Sequence, residues 1–172
     1  MPCPIRSCAE KSLTMPLAAQ ILLGSCLGAL IFALIMQFGF GYQPCVLCMW
    51  QRGPYIGIAL LSWLAWVLRP YGRQTAFLLV LCTACALAGM GLAIFHSGVE
   101  LHWWLGTSGC AVTPLNGASP DDLRAALLHT VEARCDEISW SLFGLSMANY
   151  NIAASLALAF FSTAAAARAS QN

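Results

Sequence analysis

Four long runs of apolar residues dominate the pattern of hydrophobic and polar positions along the chain. A helix needs about 20 predominantly apolar residues to cross a bilayer. Runs of that kind lie at 17–38, 49–68, 75–95 and 143–165, and the second requires Arg52 to sit at its end. Because every backbone polar group in lipid must be paired within its own segment, these runs predict four transmembrane helices.

Composition supports the same prediction. Hydrophobic residues make up 59% of the 172 positions and charged residues 9%, whereas soluble domains are about 45–50% apolar and about 25% charged. The net charge of +1 predicts no nucleic-acid partner, and the bilayer itself is the expected surrounding. We therefore expect a single all-α membrane domain over residues 1–172, built as a four-helix transmembrane bundle.

The distribution of basic residues predicts the orientation of this bundle, since cytoplasmic loops carry an excess of Lys and Arg. Four spans place both termini on one face. That face has one acid, Glu10, and five basic residues: Arg6, Lys11, Arg69, Arg73 and Arg168. The opposite face has three arginines and six acids. The bias predicts cytoplasmic termini and outer loops at about 39–52 and 96–142.

The longer outer loop contains the pattern of a short amphipathic helix. In "SPDDLRAALLHTVEARC", Ser119 is a suitable N-cap and Pro120 suits the first helical position. Leu123, Leu127 and Val131 recur at i, i+4 and i+8. A helix of roughly 14 residues is too short to span a bilayer, so it is expected to lie on the membrane or to cover the other helices.

Four of the nine cysteines fall in the outer loops, where disulfides persist. Cys45 and Cys48 form a C-x-x-C motif, and Cys110 and Cys135 are widely spaced. The glycines and proline around Cys110 predict a mobile, exposed segment. The remaining cysteines are cytoplasmic or within spans: Cys3, Cys8, Cys26, Cys82 and Cys85.

The spacing of the outer cysteines leaves three interpretations open: redox-active thiols, two structural disulfides, or a zinc site with four cysteine ligands. A C-x-x-C motif closes almost no chain and is a poor structural brace. The long interval in the second pair is unlike the short-spaced pairs of zinc sites. A resident metal is therefore not expected.

Local chemistry favours the redox interpretation. Cys48 lies at the start of span two, where the helix dipole stabilises an anion. Arg52 follows one helical turn later on the same face, and both features lower a thiol pKa. The alternative for Arg52 is an interfacial cation that reaches the headgroups. His96, at the outer end of span three, is either a polar interfacial residue or a hydrogen-bond partner for a bound carbonyl. Asn149 and Asn151 interrupt span four and are expected to hydrogen-bond between helices.

Three motifs resemble one known family. "PCVLCMWQR", "HSGVE…WW.G…C" and "CDEISWSLFGLSMANYN" are similar to the disulfide bond formation protein B (DsbB) family of bacterial inner membranes. They occur in the family's order and in matching topology, and the likeness runs from span one through span four. Gln51 takes a position that is acidic in some members.

The resemblance implies a thiol:quinone oxidoreductase with two redox disulfides, Cys45–Cys48 and Cys110–Cys135. It implies that Cys48 is the thiolate facing the quinone ring and that Arg52 supports the quinone. Cys110 would be attacked by a reduced periplasmic partner of the DsbA-like thioredoxin fold, and Cys135 would pass the electrons to Cys45. The implied cofactor is a quinone of the membrane pool, ubiquinone or alternatively menaquinone.

Two other functions remain open at this point. An enzyme of the vitamin K epoxide reductase type also combines a four-helix bundle with a C-x-x-C motif and a loop pair. In that family, however, the motif follows the loop pair, whereas here it precedes span two. A non-catalytic membrane scaffold with two structural disulfides is the other alternative, and trapping of free thiols would distinguish it from an oxidase.

Overall fold

The computed structural model describes residues 5–68, 72–107, 110 and 134–171, and it is mostly helical. Four α-helices account for most of these residues: α1 (Ile5–Leu34), α2 (Val46–Leu68), α3 (Gly72–Glu100) and α4 (Met147–Ser170). A single π-helical turn, Ile35–Gly39, continues α1. Two short strands, β1 (Ser141–Leu142) and β2 (Leu145–Ser146), precede α4. The amphipathic helix predicted after Ser119 lies outside the described residues.

Three helical stretches among the described residues are long and apolar enough to cross a membrane. They are Leu17–Gly39, Arg73–Glu100 and Met147–Ser170. Helix α2 is 23 residues long, but Gln51, Arg52 and Pro54 lower the hydropathy of its first half. The three stretches indicate a multi-pass membrane protein, while the crossing by α2 and the side of the termini stay predictions.

The helix boundaries differ from the predicted spans at the outer end of the bundle. Helix α2 begins at Val46, so Arg52 lies in its second turn and not in the preceding loop. Helix α3 continues to Glu100, which places His96 inside it. The extension of α3 carries polar residues that hydropathy assigns to a loop, but the His96 and Ser97 side chains are buried and hydrogen-bonded to Gln51 on α2 and Asn149 on α4.

The start of α4 is displaced because a β-hairpin occupies the residues before it. Phe143 and Gly144 have φ angles of 51° and 78°, as a two-residue type I′ turn requires at both central positions. The Ser146 hydroxyl then accepts a hydrogen bond from the Asn149 amide N–H at 3.4 Å. Ser146 thus caps α4, and the helix begins at Met147 and not at residue 143.

Helix α3 packs against both α2 and α4, and α1 packs against α2. Small residues permit close contacts: a Cβ at Gly89 would lie 3.1 Å from the Pro54 Cβ on α2. Such contacts are typical of helices that pack in membranes. One buried cluster includes Leu22, Cys26, Ile58, Leu79 and Cys82. A second contains Cys45, Leu47, Val99, Cys110 and Cys135. The second cluster holds cysteines from both of the loops that the sequence predicts to be outer.

Candidate functional site

Cys45 is the N-cap residue of α2. Its carbonyl accepts the Met49 N–H at 3.1 Å, and its Sγ accepts the Cys48 backbone N–H at 3.3 Å. A capping side chain satisfies one of the amide groups that have no partner within the helix. The cap also places the sulfur at the positive end of the helix dipole, which stabilises an anion.

Cys48 lies one turn into α2, with its Sγ 3.0 Å from the Cys45 Sγ. Both residues are free thiols, so the implied Cys45–Cys48 disulfide is not formed in this structure. The positions i and i+3 at the start of a helix bring the two sulfurs to one side. That arrangement accommodates a hydrogen bond between two thiols, and the structure shows the dithiol form of the pair.

The groups around the pair favour a thiolate at Cys45. The pKa of the Cys45 thiol is lowered to about 4, first by the hydrogen bond from the Cys48 thiol and then by His96, against the opposing effect of burial. Cys48 therefore holds the proton of the pair. The capping N–H and His96 thus favour Cys45 as the more acidic thiol of this dithiol form, because the helix begins three residues earlier than hydropathy predicts. The role of Cys48 as the thiolate that faces a quinone stays a prediction.

His96 supplies a further donor to Cys45 from α3. Its side chain is buried, and its Nδ1 lies 2.8 Å from the Gln51 Nε2. Because an amide nitrogen can only donate, Nδ1 accepts, and the neutral ring carries its proton on Nε2. The Nε2 atom lies 3.5 Å from the Cys45 Sγ and 3.8 Å from the Glu100 Oε1. The Gln51 amide thus orients the His96 proton towards the thiolate.

A chain of hydrogen bonds holds Gln51 in this orientation. The Asn151 Nδ2 donates to the Gln51 Oε1, and the Tyr55 hydroxyl donates to the Asn151 Oδ1. The Ser97 hydroxyl also donates to the Asn149 Oδ1, at 2.9 Å. Both asparagines of α4 therefore bond between helices, as the sequence predicts. Tyr55 and the role of Gln51 escape sequence reasoning, although polar groups in an apolar helix are the signal that could find them.

Glu100 is a second residue that sequence analysis misses. Its side chain is 7% exposed, and its Oε2 accepts a hydrogen bond from the Ser146 hydroxyl at 2.5 Å. Charge balance along the chain counts it as an outer-loop acid, whereas the structure buries it at the end of α3. Its carboxylate links the N-cap of α4 to His96.

A cavity of about 420 Å³ lies beside the two thiols. Its polar wall includes Cys45, Cys48, Arg52, His96 and Glu100. Apolar lining residues come from the end of α1 and from the π-helical turn that follows it, including Ala29, Phe32 and Met36. This volume falls within the range of small-molecule sites, which are largely apolar with a few placed polar groups. Arg52 is half-buried and shares the cavity with both sulfurs.

Cys110 and Cys135 are joined by a disulfide. They are 5% and 0% exposed, so the Cys110 side chain is buried and not exposed as expected. Most of the segment expected to be mobile around it lies outside the described residues. A Cβ at Gly106 would lie 2.7 Å from the Cys110 Cβ, and the absence of a side chain there lets the chain fold over the sulfur. The structure brings the disulfide into the cluster that contains Cys45.

The segment after the disulfide borders the same cavity. Arg134 and Glu137 are among its lining residues. The Arg134 guanidinium makes two bonds to Asp136, of 3.0 and 2.7 Å, and holds the pKa of that carboxyl below its usual range. Arg134 also lies 3.3 Å from Glu137. These exposed pairs orient the chain beside Cys135, and surface ion pairs of this kind contribute little stability.

Comparisons with known proteins show the family of this chain. The family model for disulfide bond formation protein DsbB matches residues 16–165. A disulfide bond formation protein B of Xanthomonas campestris pv. campestris is 35% identical over 137 residues, covering 75% of this chain and 78% of the relative. Those of Xanthomonas euvesicatoria and Aromatoleum aromaticum are 31% and 29% identical, covering 90% and 83% of this chain and 92% and 87% of the relatives. No solved structure matches significantly. The chain therefore belongs to the DsbB family.

Proposed function

We propose that this protein is a membrane thiol:quinone oxidoreductase that reoxidises a periplasmic disulfide donor of the DsbA-like thioredoxin fold. The observation that carries the proposal is the single buried cluster that holds Cys45 and the Cys110–Cys135 disulfide. A cavity with one apolar wall adjoins this cluster through Cys45 and Cys48. This arrangement suits transfer of an electron pair from a protein dithiol, through two disulfides, to an apolar acceptor.

The exchange steps follow from thiol–disulfide chemistry, in which a thiolate attacks a disulfide sulfur. The partner's thiolate attacks Cys110, and its second thiol completes the partner's disulfide, leaving Cys110 and Cys135 as a dithiol. The Cys135 thiolate then attacks Cys45 of the oxidised inner pair and releases Cys48. Attack by Cys110 restores the loop disulfide and leaves Cys45 and Cys48 reduced. The described state, with the loop pair bonded and the inner pair as thiols, corresponds to this last form.

The residues of the cavity fit a quinone. The Gln37 Oε1 is buried and has no hydrogen-bond partner among the described residues, and Gln37 lines the cavity. A free acceptor suits a quinol hydroxyl, while Arg52 is a permanent donor that suits a quinone carbonyl. The apolar side of α1 would hold the isoprenoid-bearing ring. Quinone supplies the terminal chemistry by accepting two electrons and two protons.

The protein groups beside the sulfurs control the charge of the inner pair. Two donors face the Cys45 Sγ, the Cys48 amide and His96, and the Cys48 Sγ lies 3.0 Å from it. They keep Cys45 anionic, and the thiolate is the reactive form of cysteine. His96 is positioned to take up or return the proton of the pair, and Arg52 supplies positive charge in the cavity.

The proposal includes a membrane arrangement. Helix α2 crosses the bilayer with α1, α3 and α4, both termini lie in the cytoplasm, and the cysteine cluster lies on the periplasmic face of the bacterial inner membrane. The 23 residues of α2 amount to about 35 Å of helix at 1.5 Å per residue, which is sufficient to cross. Ubiquinone is the proposed acceptor, with menaquinone as the alternative.

Reduction of quinone by a reduced partner tests the function directly. Purified protein would be mixed with reduced thioredoxin-fold proteins from the same genome and with ubiquinone or menaquinone, and quinone absorbance followed. Cys48→Ser is expected to abolish quinone reduction, whereas Cys85→Ser, which removes a cysteine far from the cavity lining, should leave it intact. Normal turnover by Cys48→Ser would refute the proposal.

Thiol trapping separates this function from a structural scaffold. An oxidase accumulates free thiols at the inner pair when quinone is withheld and a reduced partner is supplied. A scaffold keeps the same thiol content under both conditions. The two outcomes are distinguished by counting alkylated cysteines with and without quinone.

A further inference from the structure

The dithiol form of the site gathers three metal-binding atoms. The Sγ atoms of Cys45 and Cys48 and a ring nitrogen of His96 all lie within 4.8 Å of one another. Among the described residues this is the group of His, Cys, Asp and Glu side chains close enough to share an ion. It differs from a four-cysteine zinc site, because Cys110 and Cys135 are bonded to each other.

We propose that the reduced site binds a zinc ion through Cys45, Cys48 and His96, and that formation of the Cys45–Cys48 disulfide abolishes this binding. Two thiolates and an imidazole are soft and borderline ligands that suit zinc. The binding itself does not depend on the proposed function. The consequence of binding does depend on the proposed function, because a zinc ion on the reduced pair would block the return of that pair to the disulfide.

The distances need only a small adjustment. Zinc binds sulfur at about 2.3 Å and imidazole nitrogen at about 2.0–2.1 Å, which in a tetrahedron separates two sulfurs by about 3.8 Å and sulfur from nitrogen by about 3.6 Å. The Cys45 Sγ lies 3.5 Å from the His96 Nε2, close to that value. The sulfurs are 3.0 Å apart and must separate by roughly 0.8 Å. A rotation of the half-buried Cys48 side chain can supply this movement.

The hydrogen-bond chain behind His96 can support the ring both as a donor to the Cys45 Sγ and as a zinc ligand. A ligating Nε2 needs the proton on Nδ1, and a metal-bound histidine commonly donates that proton to a carbonyl oxygen. Rotation of the Gln51 amide by half a turn presents its Oε1 to Nδ1. Gln51 can then donate to the Asn151 Oδ1, and Asn151 to the Tyr55 hydroxyl, so every link reverses and none is lost.

Charge and space are also adequate. Two thiolates neutralise a divalent cation, and the ion displaces the proton that Cys48 holds. The Glu100 Oε1 lies 3.8 Å from the His96 Nε2, so a carboxylate or a water in the adjoining cavity can complete four-coordination. The disulfide offers no thiolate ligand, because its two sulfurs are bonded to each other and neither carries a negative charge. Binding is therefore gated by the redox state of the pair.

Equilibrium zinc binding tests this proposal. The full chain in detergent, depleted of quinone, would be reduced, freed of reductant and titrated with zinc chloride against a chromophoric chelator. We expect one zinc per reduced chain and none per oxidised chain. Gln51 only orients the ligand His96, so Gln51→Leu should weaken zinc binding by about 10–100-fold. Cys48→Ser removes a ligand itself and should weaken zinc binding by more than that.

Two controls identify the site. Cys85→Ser should keep the affinity of the reduced wild type. The double variant Cys110→Ser/Cys135→Ser removes the loop thiols that reduction also frees, and it should keep the affinity as well because none of the three ligands is substituted. The comparison of reduced with oxidised wild type involves no substitution, so it does not depend on whether a variant folds. Equal zinc binding by both redox forms, or unchanged affinity in Cys48→Ser, would overturn the proposal.

The zinc assay contains neither quinone nor a partner protein. Failure of the proposed oxidoreductase activity would therefore leave the binding result valid, and failure of zinc binding would leave the activity assay valid. Where both succeed, added zinc should inhibit quinone reduction by wild type, and a chelator should restore it. Unchanged turnover at zinc concentrations that saturate the reduced site would overturn the inhibitory consequence.

Discussion

The thiolate at Cys45 gives a prediction whose size follows from the structure. Its pKa of about 4 rests on several donors, of which His96 Nε2 at 3.5 Å is the one outside the C-x-x-C motif. His96→Phe removes this donor and keeps a ring in the buried position. The Cys48 thiol and backbone donors remain, so the pKa should rise but stay below its ordinary value.

The magnitude comes from the strength of one hydrogen bond to a charged group. Such a bond contributes about 1.5–3 kcal/mol, and one pKa unit corresponds to about 1.4 kcal/mol. The Cys45 pKa should therefore rise by about one to two units, to roughly 5–6. The variant then loses its thiolate at a higher pH than wild type as the solution is acidified, and the two differ little above neutrality.

The ultraviolet absorbance of the thiolate measures this shift. Quinone-free protein in the dithiol form would be titrated with acid, and the signal of Cys45→Ser subtracted. His102→Asn is the matched control, because His102 is exposed and its φ of 57° is one that asparagine tolerates. An unchanged midpoint in His96→Phe, or a wild-type midpoint above neutrality, would refute the assignment of the thiolate and its donor.

Three further predictions test other parts of the site. Arg52→Ala should raise the apparent KM for quinone while exchange between a reduced partner and the loop disulfide keeps its rate; stopped-flow measurement of the two steps checks this, and an unchanged KM would contradict the role of Arg52. Gly106→Ala should destabilise the loop disulfide, since the new Cβ would lie 2.7 Å from the Cys110 Cβ. Alkylation of free thiols in a glutathione redox buffer should trap more thiol in this variant than in the control Gly91→Ala, whose site is open. Equal amounts of trapped thiol would count against this packing. The Cys45 pKa is depressed from 9.0 to about 4, so the contribution of this thiol to the stability of the dithiol form is complete above pH 9 and is lost as the pH falls towards 4. The Tm of reduced wild type should therefore rise with pH more steeply than that of Cys45→Ser. Parallel profiles of Tm against pH would contradict the pKa shift.

Hydropathy predicts the helices of this protein well and their ends poorly. Apolar residues record contact with lipid or with other helices, so the runs mark α1, α3 and α4 directly. They carry no information about caps. The start of α2 depends on the Cys45 Sγ accepting the Cys48 backbone N–H, and the end of α3 depends on the hydrogen bond that the Ser146 hydroxyl donates to Glu100. The second contact lies beyond the point where the sequence of α3 turns polar.

The motifs of the sequence identify the family, and their spacing and order along the chain select four candidate cysteines. They do not identify the thiolate of the inner pair. Helix dipole and arginine arguments favour Cys48, whereas Cys45 receives the donors once α2 has its observed start. A shift of three residues in one helix boundary changes which sulfur accepts the capping N–H.

What the sequence by itself determined is the membrane class, the approximate helices, the candidate cysteines and the family resemblance, since all of these are local patterns. What only the tertiary structure decided is how the helices rotate against one another. Gln51 meets Asn151 across 100 positions of sequence, and His96 meets Cys45 across 51. Such contacts depend on packing among small residues on several helices at once, and no single segment encodes them. The proton on His96, the thiolate on Cys45 and the adjoining cavity all follow from that packing.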